Sequence, residues 1–322
     1  QAKSLASPAE ARLVNAVVRK LAASLPLQLS PPPGAPAEDL AEFYSHPLWL
    51  VRRWLADFGA DSTRALLHHN QQPAPLHARW RTPGDAAPAW LMPLEEPNFF
   101  DVIPGHWSEI ESELSAGRLY LQDPSTRLAV DLLAPQPGET LLDLCAAPGG
   151  KTLQIADRLS AGRIVAWDLP GARIDRLKEN LGRIRGVETV MIEGNLMDSA
   201  ERILAARGLP QLFSGVLIDV PCSNTGVMRH RVDVRWRLQE TDFRKHSLQQ
   251  VTLLRAAAAR VVPGGRLVYS TCSIDREENE DVVQSFLKAS GGAWSLEAQK
   301  ISRPWESNHD GAAAFRLSRR AV

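Results

Sequence analysis

ETLLDLCAAPGGKTLQIADRL, residues 139–159, reads as a short apolar strand, a turn of small residues and a helix with apolar residues at helical spacing. The alternation continues outward from it. GRIVAWDL (162–169) is the next strand, ARIDRLKENLGRI the next helix and ETVMIEGN the strand after that. SGVLIDVPC (214–222) is another apolar strand, LQQVTLLRAAAARV a helix stopped by Pro263-Gly264-Gly265, and GRLVYSTCS (265–273) a further strand. Strands alternating with helices predict an α/β fold, a parallel sheet covered on both faces. In such sheets ligands sit beyond the carboxyl ends of the strands.

With 322 residues the chain has room for about two domains. Upstream, Ser7, Pro8 and Glu10 form an N-cap, first-turn proline and capping-box partner for a helix carrying Leu13, Val14, Val17, Val18 and Leu21. LPLQLSPPPGAP (25–36) cannot continue a helix and reads as a linker. Beyond it, SHPLWLVRRWLADFG puts Leu48, Val51, Leu55 and Phe58 on one helical face with Gly59 as a stop, and a second helix runs through Leu66 and Leu67. APLHARWRT alternates Leu76, Ala78 and Trp80 with polar residues, as a half-buried strand does. Trp80 between Arg79 and Arg81 suits either base stacking or the core of a small α+β module. The organisation expected is a helical segment and linker over 1–36, a small α+β region over 37–118, and the α/β domain over 119–322.

Lys+Arg and Asp+Glu both number 37, so the chain as a whole is no polycation. Residues 223–260, however, carry eight basic side chains against three acidic ones, a local +5 that suits either a phosphate track or a solvated helix face. No apolar run approaches the length of a membrane-spanning helix. Three cysteines cannot frame a disulfide scaffold, and no basic-then-apolar leader opens the chain, so a reducing cytoplasm is expected. Residue 1 is Gln, which fits either a removed leader or tag or a start inside a longer product.

The chemistry-bearing residues gather at strand ends. Cys145-Ala-Ala-Pro-Gly-Gly-Lys-Thr152 is a strand-to-helix turn that lets backbone N–H groups approach a ligand. It lacks the G-x-G-x-x-G of a dinucleotide fingerprint. It ends like a phosphate loop in Gly150-Lys151-Thr152, but Cys145 stands where that loop needs glycine, so ATP hydrolysis is the weaker alternative. A nucleoside without polyphosphate, S-adenosylmethionine, fits better: Asp168 ends the second strand about 20 residues on, placed to accept ribose hydroxyls. Asn195 and Asp198 follow the third strand and Asp219 ends the fourth. Cys222 and Cys272 also lie at strand ends. They have neither the spacing nor the companions of a metal site, so no metal is expected there, and nucleophilic chemistry is what remains for them.

DLCAAPGGKT, IDVPCSNTG, RVDVRW and YSTCSIDREENEDVV, in this order, resemble the RNA 5-methylcytosine methyltransferases of RsmB/Sun (Fmu) type, which act on 16S ribosomal RNA. The tail DGAAAFRLSR resembles that family's closing strand, and RLVNAVVRKLA resembles the end of its NusB-like RNA-binding domain. The resemblance implies a Rossmann-like S-adenosylmethionine-dependent methyltransferase domain and 16S ribosomal RNA as partner; the oligomeric state is not set by the sequence, and a monomer is the expectation. It implies that most of a NusB-like domain would precede residue 1. Site roles follow position by position: cofactor contacts from Cys145, Ala146, Ala147, Pro148, Gly149, Gly150 and Lys151, with Asp168 on the ribose and Asn195 toward the adenine. It makes Cys272 the nucleophile, Cys222 the thiol that assists product release and Asp219 the active-site acid. To share a proton with a cytosine ring nitrogen, Asp219 must be protonated or hydrogen-bonded, a form that burial beside Val216 to Ile218 favours. Arg229, Arg231 and Arg235 would face RNA. The family often has Asp at position 195 and His-Pro where this chain has Arg231-Val232. A ribosome-assembly factor with an inactive methyltransferase fold is the other alternative.

Overall fold

A computed structural model describes residues 7–24, 30–82 and 84–321. Residues 25–29, the start of the expected linker, lie outside the described residues. The chain forms two compact units, Gln1–Ala60 and Asp61–Val322.

In the first unit, helix Pro8–Ser24 opens on the expected capping box: the Ser7 amide donates to Glu10 Oε2 at 2.8 Å and the Glu10 amide to Ser7 Oγ at 3.4 Å. Its apolar residues Leu13, Val14, Val17, Val18 and Leu21 are exposed. After helix Ala37–Phe43, the helical stretch Leu48–Gln71 is broken at Gly59, whose φ of 77° and ψ of 175° only glycine adopts cheaply. The face it buries differs from the expected one. Leu50, Val51 and Trp54 are fully buried while Leu48, Leu55 and Phe58 are half-buried, because the Trp54 indole and Leu50 one turn before it anchor the packing.

The second unit begins with a small antiparallel sheet, β1 (His77–Trp80), β2 (Leu91–Pro93), β3 (Phe99–Val102) and β4 (Leu119–Leu121), in the order β2-β3-β1-β4. Its last strand carries this sheet past residue 118, to Leu121. Ala78, Trp80, Leu91, Leu119 and Ile110 from the intervening helix Trp107–Ser115 make its core. β1 does not alternate buried with exposed: all four residues are buried. Trp80 therefore offers no ring for stacking, and Arg79 and Arg81 both engage Asp157 of helix Gly150–Leu159, Arg81 at 2.8 and 3.0 Å. The interleaved aromatic and basic residues are structural.

The large sheet holds β5 (Thr140–Leu144), β6 (Arg163–Asp168), β7 (Glu188–Glu193), β8 (Phe213–Asp219), β9 (Val261–Thr271), β10 (Trp294–Ser302) and β11 (Ala312–Arg319) in the order β10-β11-β9-β8-β5-β6-β7. β7-β6-β5-β8-β9 is parallel, and β11 inserts antiparallel between β9 and β10. Core residues line both faces: Leu142, Leu144, Val216 and Ile218 point to one cluster, Leu141 and Leu217 to the other. Pro263-Gly264-Gly265 does not sit between helix and strand as expected. The helix Glu240–Ala258 has already ended, and the three residues lie within β9, where Gly264 (φ 77°) accompanies a register shift against β8. The strand order reverses between β5 and β8, which puts a crevice beyond their carboxyl ends. No helix among the described residues is long and apolar enough to cross a membrane.

Candidate active site

The loop after β5 is shaped by its own small residues. Cys145 takes a left-handed φ of 56°, and Gly149, at φ 103°, starts the helix where a Cβ would press within 3.1 Å of Leu177 and 3.2 Å of Asn180. Asn180 Nδ2 donates to the Pro148 carbonyl at 2.7 Å and holds the turn from behind. Asp168, at the end of β6, accepts the Ala147 amide through Oδ2 and the Leu169 amide through Oδ1, both at 2.7 Å. Asn195, beyond β7, is exposed and accepts the Met197 amide at 3.0 Å. Burial, then the charge of Asp168, pushes the Cys145 thiol far above its ordinary range, so this cysteine is an inert wall of the loop.

The other two cysteines meet. Cys222 Sγ and Cys272 Sγ lie 3.2 Å apart, brought together from the ends of adjacent strands β8 and β9. Cys272 is half-buried and its Sγ also reaches Asn224 Oδ1 at 3.3 Å. The hydrogen bond to Cys272, then burial, pushes the Cys222 thiol up, so Cys222 holds its proton. On the same rim Lys151 Nζ donates to Asp219 Oδ2 at 2.6 Å, and Ser270 Oγ donates to Asp219 Oδ1 at 2.8 Å. Burial works against the Lys151 charge, but Asp219 outweighs it and raises the amine further. Asp219 is hydrogen-bonded, as one form of the expectation had it, but it is not buried beside Val216 to Ile218: its side chain is 34% exposed, because the end of β8 turns it toward the loop rather than the core. Lys151, Ser270 and Cys272 line a pocket with Val227, Asp310 and Gly311.

Beneath the sulfurs lies a polar network that the sequence reading missed. Glu278, fully buried, accepts from the Ser223 amide at 2.9 Å, from the Ser223 hydroxyl and from Gln250 Nε2 at 3.1 Å. Thr225 Oγ1 donates to buried Asp275 at 2.5 Å, and the Gly226 amide to the Cys272 carbonyl at 3.0 Å. The two cysteine loops are sewn together by these bonds. The acid-rich run Asp275-Arg-Glu-Glu278 was the available signal, but on a bare sequence such a run reads as solvated surface.

A family model described as 16S rRNA methyltransferase RsmB/F matches residues 130–317, which contain this entire rim. The chain belongs to that family. It is 33% identical over 272 residues to the ribosomal RNA small subunit methyltransferase B of Erwinia tasmaniensis, covering 81% of this chain and 62% of the relative, and 34% identical over 268 residues to that of Cronobacter sakazakii, covering 78% and 61%. The chain spans about three fifths of the length of these curated relatives. Among solved structures it is similar to that of PH0851, with a TM-score of 0.78 and 27% identity over 96% of this chain and 73% of the other. NSun6 from Pyrococcus horikoshii, solved with SFG, shares the fold at a TM-score of 0.72 and 17% identity over 86% and 99%. These likenesses establish the Rossmann-like methyltransferase fold.

Within this RsmB/F-family site the three expected RNA-facing arginines divide. Arg235 is buried, its guanidinium spent on the Asn70 carbonyl at the end of helix Leu48–Gln71, so it is a structural clamp and not an RNA ligand. Arg229 donates to the Pro73 carbonyl at 2.8 and 3.1 Å and to Asn308 Oδ1 at 3.2 Å. Only Arg231 of the three stands exposed, beside Val232 and near Trp236, which is 64% exposed.

Proposed function

We propose that this chain transfers a methyl group from S-adenosylmethionine to carbon 5 of a cytosine in RNA, most specifically 16S ribosomal RNA in the cytoplasm, through a covalent Cys272 adduct. The observation that carries this reading is the 3.2 Å pair of sulfurs on one rim with the Lys151–Asp219 pair and the small-residue loop. The loop residues suit the cofactor. Asp168 binds two amides yet keeps acceptor capacity for ribose hydroxyls, since an ionised carboxylate offers about four lone-pair sites. Cys145 to Lys151 would pass along the nucleoside and Asn195 toward its base. When bound, the cofactor supplies an electrophilic methyl group.

Carbon 5 of cytosine is a weak nucleophile, so the ring needs activation. The Cys272 thiolate forms a bond to carbon 6, and the displaced electron pair is accommodated by a proton held at ring nitrogen 3. Asp219 and Lys151 hold and share that proton. Carbon 5 becomes the nucleophile. After methylation its proton is removed by a base and the sulfur–carbon 6 bond breaks, restoring the aromatic ring; Cys222, protonated, stands 3.2 Å from the departing sulfur to assist. The base must leave any stack to enter the pocket, which favours loop or splayed nucleotides.

The test is tritiated methyl transfer to 16S RNA combined with denaturing gels. Cys272→Ala should give neither transfer nor adduct, and Cys222→Ala should accumulate a covalent RNA adduct. An adduct that persists in Cys272→Ala would move the attack to Cys222 and overturn the assignment.

A further inference from the structure

Away from the thiols, five residues from four distant segments converge: His77 on β1, Asp123 after β4, His230, and His309 with Asp310 before β11. Ligand atoms of His77, Asp123 and His309 lie within 4.8 Å of one another, as do those of Asp123, His230 and Asp310. The two imidazoles of the first trio are oriented alike. His77 turns Nε2 to Asp101 at 3.1 Å and Nδ1 to Asp123 at 3.0 Å. His309 turns Nε2 to Glu96 at 3.4 Å, while its Nδ1 is buried with no hydrogen-bond partner. One ring nitrogen on a carboxylate and the other aimed inward is how metal-bound histidines are held, the outer acid fixing the tautomer and raising ligand basicity.

Charge points the same way. Asp101, Asp123 and Asp310 gather around the Arg229 guanidinium, Asp310 also sees Arg231, and Glu96 meets His309. His69, nearby, also leaves its Nε2 buried with no hydrogen-bond partner.

We propose that His77, Asp123 and His309 bind one zinc-class divalent cation that joins the small sheet to the segment leading into β11. Two imidazoles and a carboxylate suit zinc rather than magnesium, and leave a fourth position for water or for Asp310. The cation would sit behind Asp310, which also lines the substrate pocket.

The full chain, stripped with chelator and desalted, is titrated with zinc chloride and the bound metal counted by inductively coupled plasma mass spectrometry. About one zinc per chain is expected, with a zinc-dependent rise in melting temperature. His309→Gln and, separately, His77→Asn should each weaken binding at least tenfold and abolish that rise. The paired thiols are the rival ligands, so a Cys222→Ser/Cys272→Ser chain must keep its zinc, and cobalt substituted for zinc must show no thiolate charge-transfer absorption. Zinc lost in the thiol variant but retained in both histidine variants, or no binding at all, overturns the proposal.

Discussion

Removing Glu278 should damage both stability and the thiol geometry. Its carboxylate is fully buried and accepts three donors, the Ser223 amide, the Ser223 hydroxyl and Gln250 Nε2. In Glu278→Ala the hydroxyl can turn toward Ser273 Oγ, 3.3 Å away. The other two donors cannot follow, because one is backbone and the other is fixed by its second bond to the Pro221 carbonyl at 2.9 Å. A buried donor left unpaired costs about 1–3 kcal/mol, so the loss should be about 2–6 kcal/mol. Glu278→Gln, which keeps the volume and one acceptor oxygen, should lose less. Ser223 follows Cys222 directly, so the loosened loop lets the sulfurs drift apart, and turnover measured well below the melting transition should fall further than the folded fraction does. Unfolding by urea, followed by circular dichroism, together with methyl transfer to RNA, checks this. A Glu278→Ala chain within about 0.5 kcal/mol of the parent, the scatter of ordinary surface changes, would refute the network's role.

Gly226 packs against the Gly311 carbonyl and lies where a Cβ would meet the Cys272 carbonyl at 2.7 Å, so Gly226→Ala should lower methyl transfer at least tenfold while far-ultraviolet circular dichroism stays native. Asp143, fully buried beneath Thr152, has its carboxyl pushed up to about 7 by burial. Its folded value lies above its unfolded one, so its own contribution to stability is full below about pH 4 and is lost as pH rises from about 4 through 7; the difference in melting temperature between Asp143→Asn and the parent should therefore shift across that window in favour of the variant. Arg231→Ala should reduce the salt dependence of single-stranded RNA binding by about 0.7 in the slope of log K against log salt, whereas Arg235→Ala should leave the slope unchanged and lower the melting temperature instead.

The parallel half of the sheet was legible because each βα unit is short and local: an apolar run, a turn and an amphipathic helix follow one another within about 30 residues. Where distant segments decide the outcome, local signals mislead. Pro263-Gly264-Gly265 carries the composition of a stop, yet β8 pairs with Val261 and then, after the register shift, with Arg266, which draws the three residues into the strand. His77 and Arg79 read as the wet side of β1, but Asp123 and Asp157 cover that side from elsewhere in the chain.

The same division runs through the site. The cysteines, Asp168, Asp219 and the glycine loop could be singled out because β-strand ends repeat a single rule, that ligands gather beyond the carboxyl edge. What could not be read was which charges are already spent. Arg235 and Arg231 are four residues apart in one basic run, yet one is consumed by a helix-end carbonyl and the other stands exposed, a distinction set by where Asn70 falls in three dimensions. Lys151 and Asp219, 68 positions apart, pair in the same way, which no local reading of either strand end could show. For this rim, motif order therefore locates the candidate residues, while long-range pairing decides which partners their polar groups already have.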